Sequence, residues 1–235
     1  MTEKRTSSAR LGPKSGGTTS TTTMARPPDN RGSDTDPDYL RVTKASSPIL
    51  KRSRAFNSLA IQLSIDPLIK SIWYLDSLPA MGCDVAVEML VAEHDDGQCY
   101  AYDLVHERPT RDLDGEGLVL LALEANNIRL VEVDQNWINA EPRARNSLII
   151  WKNRGHPVDD STRAAIVRTL RKQGPVPIRK LAEIIDVSYP LKSVCALVWA
   201  GIVAVDLSKQ LDFDSEVAVD KSIDRRPATS TPPPR

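Results

Sequence analysis

The sequence predicts a two-part α/β protein, with an acidic α/β unit built on a small mixed sheet over residues 54–142 and a basic α+β unit over residues 143–219. Three observations carry this expectation. Charge is segregated: residues 1–57 hold 11 Lys/Arg against 5 Asp/Glu, residues 58–142 hold 4 against 16, and residues 143–211 hold 12 against 5, although the whole chain balances at 31 of each. The hydrophobic period changes from strand-like alternation in the acidic block to helical spacing in the basic one. Both ends, residues 1–45 and 220–235, consist mainly of Ser, Thr, Gly, Pro and charge, so they are expected to be disordered tails that bury too little apolar surface to offset their ordering entropy. An acidic surface repels phosphate and a basic one collects it. The C-terminal third is therefore where a nucleic acid is expected, and the acidic middle is where a metal or a partner is expected.

Composition narrows the class further. A chain of 235 residues with 40% hydrophobic and 26% charged residues is ordinary for a globular protein, and only two Phe leave the cores to Leu, Ile and Val. No apolar run approaches the ~18 residues that a membrane span needs. The first residues lack the apolar core of a secretory signal. Cys83, Cys99 and Cys195 are odd in number and lack a CxxC spacing, which fits a reducing cytoplasm. His94, His106 and His156 are too dispersed for a structural zinc site.

Residues 54–82 have apolar positions at mixed spacing and a break at Pro67, read as a short helix and then a strand. Residues 84–92 alternate as a strand, His94-Asp95-Asp96-Gly97 supplies a hairpin turn, and residues 99–105 return. A helix follows over 114–126, with Leu118, Leu121, Ala122 and Ala125 at helical spacing and Asp114 and Glu116 at its positive end. Asn127 is a suitable stop before a strand over 128–133.

The basic block reads as helices over 143–152, 161–173 and 178–185, and a further one from Pro190 at N1 to Ala200. Ser161 is the expected cap of the second, with Ala165, Ile166, Val167 and Leu170 inward, and Leu181 and Ile184 are the expected inward residues of the third. Gly174-Pro175 and Gly201 are stops, and strands starting at Ile202 and Glu216 close the unit. Three helices with a tight turn at Asp186-Val187-Ser188 and a closing hairpin make the plan of a winged helix-turn-helix.

Asp84 opens the first hairpin strand, and Glu88 falls opposite Asp103 if the turn is centred between Asp95 and Asp96. Two facing carboxylates are what a divalent ion such as Mg2+ requires in a nuclease. Facing acids also arise readily on a solvated surface of so acidic a segment.

The stretch from Tyr102 to Trp151, "YDLVHERPTRDLDGEGLVLLALEANNIRLVEVDQNWINAEPRARNSLIIW", resembles the second half of the TnsA-like heteromeric transposase endonucleases. The resembling pieces are Asp96-Gly97, Asp103-Leu104-Val105, the helix from Asp114, the strand over 128–133 and Pro142-Arg143-Ala144-Arg145-Asn146, and the similarity runs over about residues 54–219. It implies a restriction-endonuclease-like mixed sheet followed by a helical domain, with Asp84, Glu88 and Asp103 as the catalytic carboxylates and Asp84 and Asp103 as Mg2+ ligands if the site is active. It also implies DNA and a transposase subunit as partners. The departures are decisive for activity. The family's Pro-Asp-Phe stands as Cys83-Asp84-Val85, its Lys is Val105, and no Glu stands between Arg54 and Leu75 in the first helix. The expectation is a degenerate, non-cleaving subunit that binds DNA or a transposase partner. The alternatives are an active endonuclease whose Lys has migrated, with Lys70 the nearest candidate, and a winged-helix transcriptional regulator. Arg163, Arg168, Arg171, Lys172, Arg179, Lys180, Lys192 and Ser193 are the candidate DNA contacts, phosphate-directed because the last helix is otherwise apolar. That same apolar helix is the alternative seat for a protein.

Overall fold

The computed structural model describes residues 38–220. A two-residue strand β1 (Tyr39–Leu40) pairs antiparallel with β2 (Ile49–Leu50), and Leu40, Val42 and Ile49 are buried. Residues 38–45, expected at the end of a disordered tail, are thus ordered, as is buried Asp220 at the start of the other. The remainder of both tails, residues 1–37 and 221–235, lies outside the described residues. Helix α1 (Arg54–Ile65) begins where the Ser53 side chain accepts from the Phe56 amide. It ends at Asp66, whose extended backbone is what a following proline imposes.

Strands β3 (Ile69–Ala80) and β4 (Cys83–His94) then form a long antiparallel hairpin. Its two-residue loop is Met81-Gly82, both at positive φ (52° and 82°), the handedness that matches the twist of the flanking strands. Methionine in that conformation is unusual, so the turn leaves little trace in the sequence. The next strand, β5 (Cys99–Leu104), returns antiparallel to β4. Helix α2 (Leu113–Ala125) crosses over to β6 (Ile128–Val133), which runs parallel to β5. The Asp112 side chain caps α2 through the Gly115 amide at 2.8 Å, and a Cβ on Gly115 would meet that carboxylate at 2.9 Å. The result is a four-stranded mixed sheet in the order β3-β4-β5-β6.

The sheet is covered on both faces. Val85, Val87, Met89 and Val91 alternate along β4 and join Ala101, Val119, Ala122 and Leu123 in the core beneath α2. The inward stripe of α2 is therefore Val119, Ala122 and Leu123, while Leu118 and Leu121, which share the helical spacing of Ala122, are exposed. Leu90, Ala92, Ile72 and Tyr102 face the other way, onto Phe56, Leu59 and Leu63 of α1.

The second part continues that core without a break. After a single turn α3 (Gln135–Ile138) come α4 (Arg143–Asn153), α5 (Asp160–Gln173), the short β7 (Val176–Pro177), α6 (Ile178–Ile185), α7 (Pro190–Trp199), β8 (Val203–Val205) and β9 (Glu216–Val219). The last strands form an antiparallel sheet in the order β7-β9-β8. Asp159, not Ser161, caps α5, accepting from the Thr162 amide at 2.8 Å and also from the Ser161 hydroxyl. Leu181 is inward on α6 as expected, but Ile184 is exposed, its place taken by fully buried Ile178. Ile150, Ile166, Leu170, Val194, Leu197 and Trp199 belong to the same cluster as Leu59 and Ile72. Buried Asn146 ties α4 to the β8–β9 connection, donating to the carbonyls of Leu207 (3.0 Å) and Lys209 (2.6 Å) and accepting from the Leu211 amide (3.0 Å).

Because one core spans both parts, Ile150→Ala should destabilise the whole chain by about 2–5 kcal/mol. Urea unfolding followed by far-UV circular dichroism and by tryptophan fluorescence should shift together in this variant. Two separated transitions would contradict a shared core.

Candidate functional site

The expected hairpin pairing is displaced by one residue. The β4–β5 turn is centred on Asp96, where the His94 carbonyl accepts from the Gly97 amide at 2.9 Å, and Leu90 pairs with Tyr102 and Val91 with Ala101. Continued, this register sets Asp103 opposite Met89 and not opposite Glu88. Glu88 instead sits at a β-bulge: its φ is 56°, and the β3–β4 register slips between Leu75↔Met89 and Ser77↔Ala86. An inserted residue bends the strand and ends its pairing with a neighbour. Here β4 parts from β5 beyond Leu90, and the gap becomes a small cleft lined by Glu88, Asp103, Glu107, Arg108 and Phe56 among others. Arg111 bonds the β4 backbone that β5 does not reach, donating to the carbonyls of Val87 (3.1 Å) and Ala86 (3.4 Å).

Of the three expected carboxylates, the structure brings Glu88 and Asp103 into this cleft and leaves Asp84 out. Asp84 is exposed beside the hairpin tip, opposite Pro79. Its six-residue separation from Leu90 corresponds to roughly 20 Å along the strand. The Asp84–Asp103 metal pair is therefore not formed.

Asp103 is 4% exposed and lies beside Glu132 in the parallel β5–β6 ladder. Two adjacent carboxylates repel and need a cation. Arg108, in the loop between β5 and α2, supplies it, with Nη2 at 2.5 Å from Asp103 and 2.6 Å from Glu132. The hydrogen bond to Glu132, and then that to Asp103, hold this guanidinium above the ordinary arginine range. Glu107 at the cleft edge accepts from the Ser53 hydroxyl at the start of α1. Val105, where the resemblance calls for Lys, follows the end of β5 and is exposed. Lys70 is not in the cleft; it pairs with Glu93 at 2.5 Å near the other end of the hairpin.

These residues do not fit Mg2+. A divalent ion needs several carboxylates converging on it, and here Asp103 Oδ2 is paired with the Arg108 guanidinium while Asp84 lies at the hairpin tip. Among the described residues no group of three or more His, Cys, Asp or Glu side chains could hold a metal ion.

The basic candidates are scattered over three helices. On α5, Arg168, Arg171 and Lys172 are exposed, and Arg163 pairs with Asp160 at 2.7 Å. On α6, Lys180 is exposed and Arg179 pairs with Asp214 at 2.9 Å. Lys192 at the start of α7 lies over the Tyr189 ring, 4.9 Å from its centroid. Ser193 is only 4% exposed and cannot reach a DNA groove. Every residue from Ser193 to Trp199 is buried. The apolarity of α7, which left open a seat for a protein partner, is accounted for by internal packing, including Trp199 edge-on to Trp151 of α4. The β8–β9 connection carries Asp206, Asp212 and Asp214 against Lys209, a poor surface for phosphate.

Sequence inspection missed Arg108 and Glu132. The available signal was the parallel pairing of 99–104 with 128–133, which sets two acids side by side and calls for a nearby Arg. No helix among the described residues is long and apolar enough to cross a membrane. No protein-family model matches the chain, and no curated protein is significantly similar to it.

Arg108→Gln should cost about 3 kcal/mol, because it strands the buried Asp103 carboxylate beside Glu132. Adding Asp103→Asn should recover most of that loss in urea denaturation. A double variant as unstable as the two single losses combined would mean that the pair is not coupled.

Proposed function

We propose that this chain is a non-cleaving, TnsA-like binding protein that holds DNA through its phosphates, with a restriction-endonuclease-like sheet retained as scaffold. The observation that carries the loss of cleavage is Arg108, whose guanidinium neutralises Asp103 where a catalytic metal would have to bind. The order α1, β3, β4, β5, α2, β6, with an antiparallel hairpin followed by a parallel strand, supports the nuclease-like ancestry, as does the convergence of Glu88 and Asp103 on one cleft. The helices α5, α6 and α7 with the β7-β9-β8 sheet support a winged-helix arrangement.

Buried α7 argues against base-edge reading, and so against a sequence-specific transcriptional regulator. Contacts from Arg168, Arg171, Lys172 and Lys180 would position DNA without specifying its sequence. The active-endonuclease alternative lacks its lysine, since Lys70 is held by Glu93. A transposase subunit is the partner implied by the family resemblance. The three free thiols, Cys83, Cys99 and Cys195, accord with a cytoplasmic setting.

The full chain should not nick supercoiled plasmid with Mg2+ or Mn2+. Nicking that disappears in Asp103→Ala would overturn the non-cleaving assignment. Its affinity for duplex DNA should fall with salt at a logarithmic slope of about −0.9 per phosphate contacted and vary little with sequence. Replacing Arg168, Arg171 and Lys172 by Ala should flatten that slope by up to about three units, Lys192→Ala by about one at most, and Ser193→Ala not at all. Undetectable or salt-independent binding would end the DNA assignment.

A further inference from the structure

The outer face of α2 is apolar and uncovered. Leu113 is 88% exposed, Leu120 52% and Leu121 50%, with Leu118 beside them. At 100° per residue Leu113, Gly117, Leu120 and Leu121 fall together, opposite the Val119, Ala122 and Leu123 stripe that binds the sheet. Large apolar side chains clustered on one exposed face mark a surface that is normally covered. Gly117 on this face is open, since a Cβ there would meet nothing within 4 Å. A groove of about 210 Å³ continues the face between Leu120 and Leu130 of β6, with Glu124 and Arg129 at its edge.

The charge around this face identifies its occupant. The only charged side chains on α2 are Asp114, Glu116 and Glu124. Glu116 is turned toward Arg111, at 3.8 Å, which leaves Asp114 and Glu124 as exposed acids flanking the leucines at opposite ends. A second copy of this face would set Asp114 and Glu124 against the same two acids, with Arg129 beside Glu124 as the one cation lining the groove. An amphipathic helix with Lys or Arg beside its apolar stripe would bury the leucines and neutralise both ends.

We propose that the outer face of α2 is a docking site for a basic amphipathic helix of a protein partner. This site is separate from the DNA-binding assignment, and its failure would leave that assignment standing.

The test uses the full chain and a fluorescein-labelled 18-residue helical peptide of Leu and Lys with leucines at i, i+3, i+4 and i+7, beside a Leu/Glu peptide of the same pattern. Saturable binding of the Leu/Lys peptide is expected, with hydrogen-exchange protection concentrated in residues 113–125. Leu121→Lys, which changes an exposed side chain, should weaken binding about tenfold or more. Asp114→Lys/Glu124→Lys should remove the preference for Leu/Lys over Leu/Glu. Circular dichroism and thermal midpoints should match the parent chain in both variants. Equal affinity for the two peptides, protection elsewhere, or insensitivity to Leu121→Lys would overturn the proposal. So would a homodimer in sedimentation that Leu121→Lys dissolves, because the face would then be self-complementary.

Discussion

A carboxylate withdrawn from water must be compensated where it stands, and the way Asp103 is compensated organises the acidic half of this protein. Parallel pairing of β5 with β6 sets Glu132 against Asp103, doubling the charge to be neutralised. Arg108 answers both acids, and in doing so folds the loop after β5 back across the cleft. From that anchor Arg111 reaches the carbonyls of Ala86 and Val87 left open by the bulge at Glu88, and Asp112 is set as the cap of α2. A metal ion could perform the first of these tasks but not the sequence that follows. A guanidinium attached to the chain fixes the loop as well as the charge, so it makes this cleft a structural joint.

The same logic of burial governs the basic half. Apolar α7 is the hub on which α4, α6 and β8 pack, and Trp151 meets Trp199 there. A helix so enclosed cannot also serve as a reading head. Apart from Lys192, the exposed cations among the candidate contacts lie on the outward surfaces of α5 and α6. Those surfaces carry long cationic side chains in ones and twos, two of them, Arg163 and Arg179, held by Asp160 and Asp214. Such a surface suits contacts with a regular charged polymer better than recognition of one shaped ligand.

Most of the element order was legible in the sequence because it rests on local signals: alternation in β4, proline at Pro67 and Pro190, glycine stops at Gly174 and Gly201. What escaped was everything that depends on register or on a neighbour distant in sequence. A turn centred on Asp96, and not half a residue earlier, moves Glu88 out of line with Asp103. The bulge and the hairpin turn require positive φ at Glu88 and Met81, residues that seldom adopt it. The leucines of α2 are so numerous that spacing alone could not say which face was inward, and Leu118 and Leu121 proved exposed while Ala122 and Leu123 are buried. The site was legible only as a list of acids. Its decisive member is an arginine, which no search for metal ligands would select.

The neutral total charge conceals two surfaces that can act independently. At physiological ionic strength exposed charges are screened over about 8 Å, less than the breadth of either half. The acids around α2 therefore do little to cancel the cations of α5 beyond that range, while the common hydrophobic core holds both surfaces on one rigid body. A polyanion would be steered to the helical half and repelled from the sheet half, and a cationic partner helix would meet the opposite field. Two ligands of opposite charge bound to one body do not compete for a surface. The proposed pairing of DNA with a basic partner helix depends on that separation, since in a single mixed patch each ligand would displace the other's counter-charges.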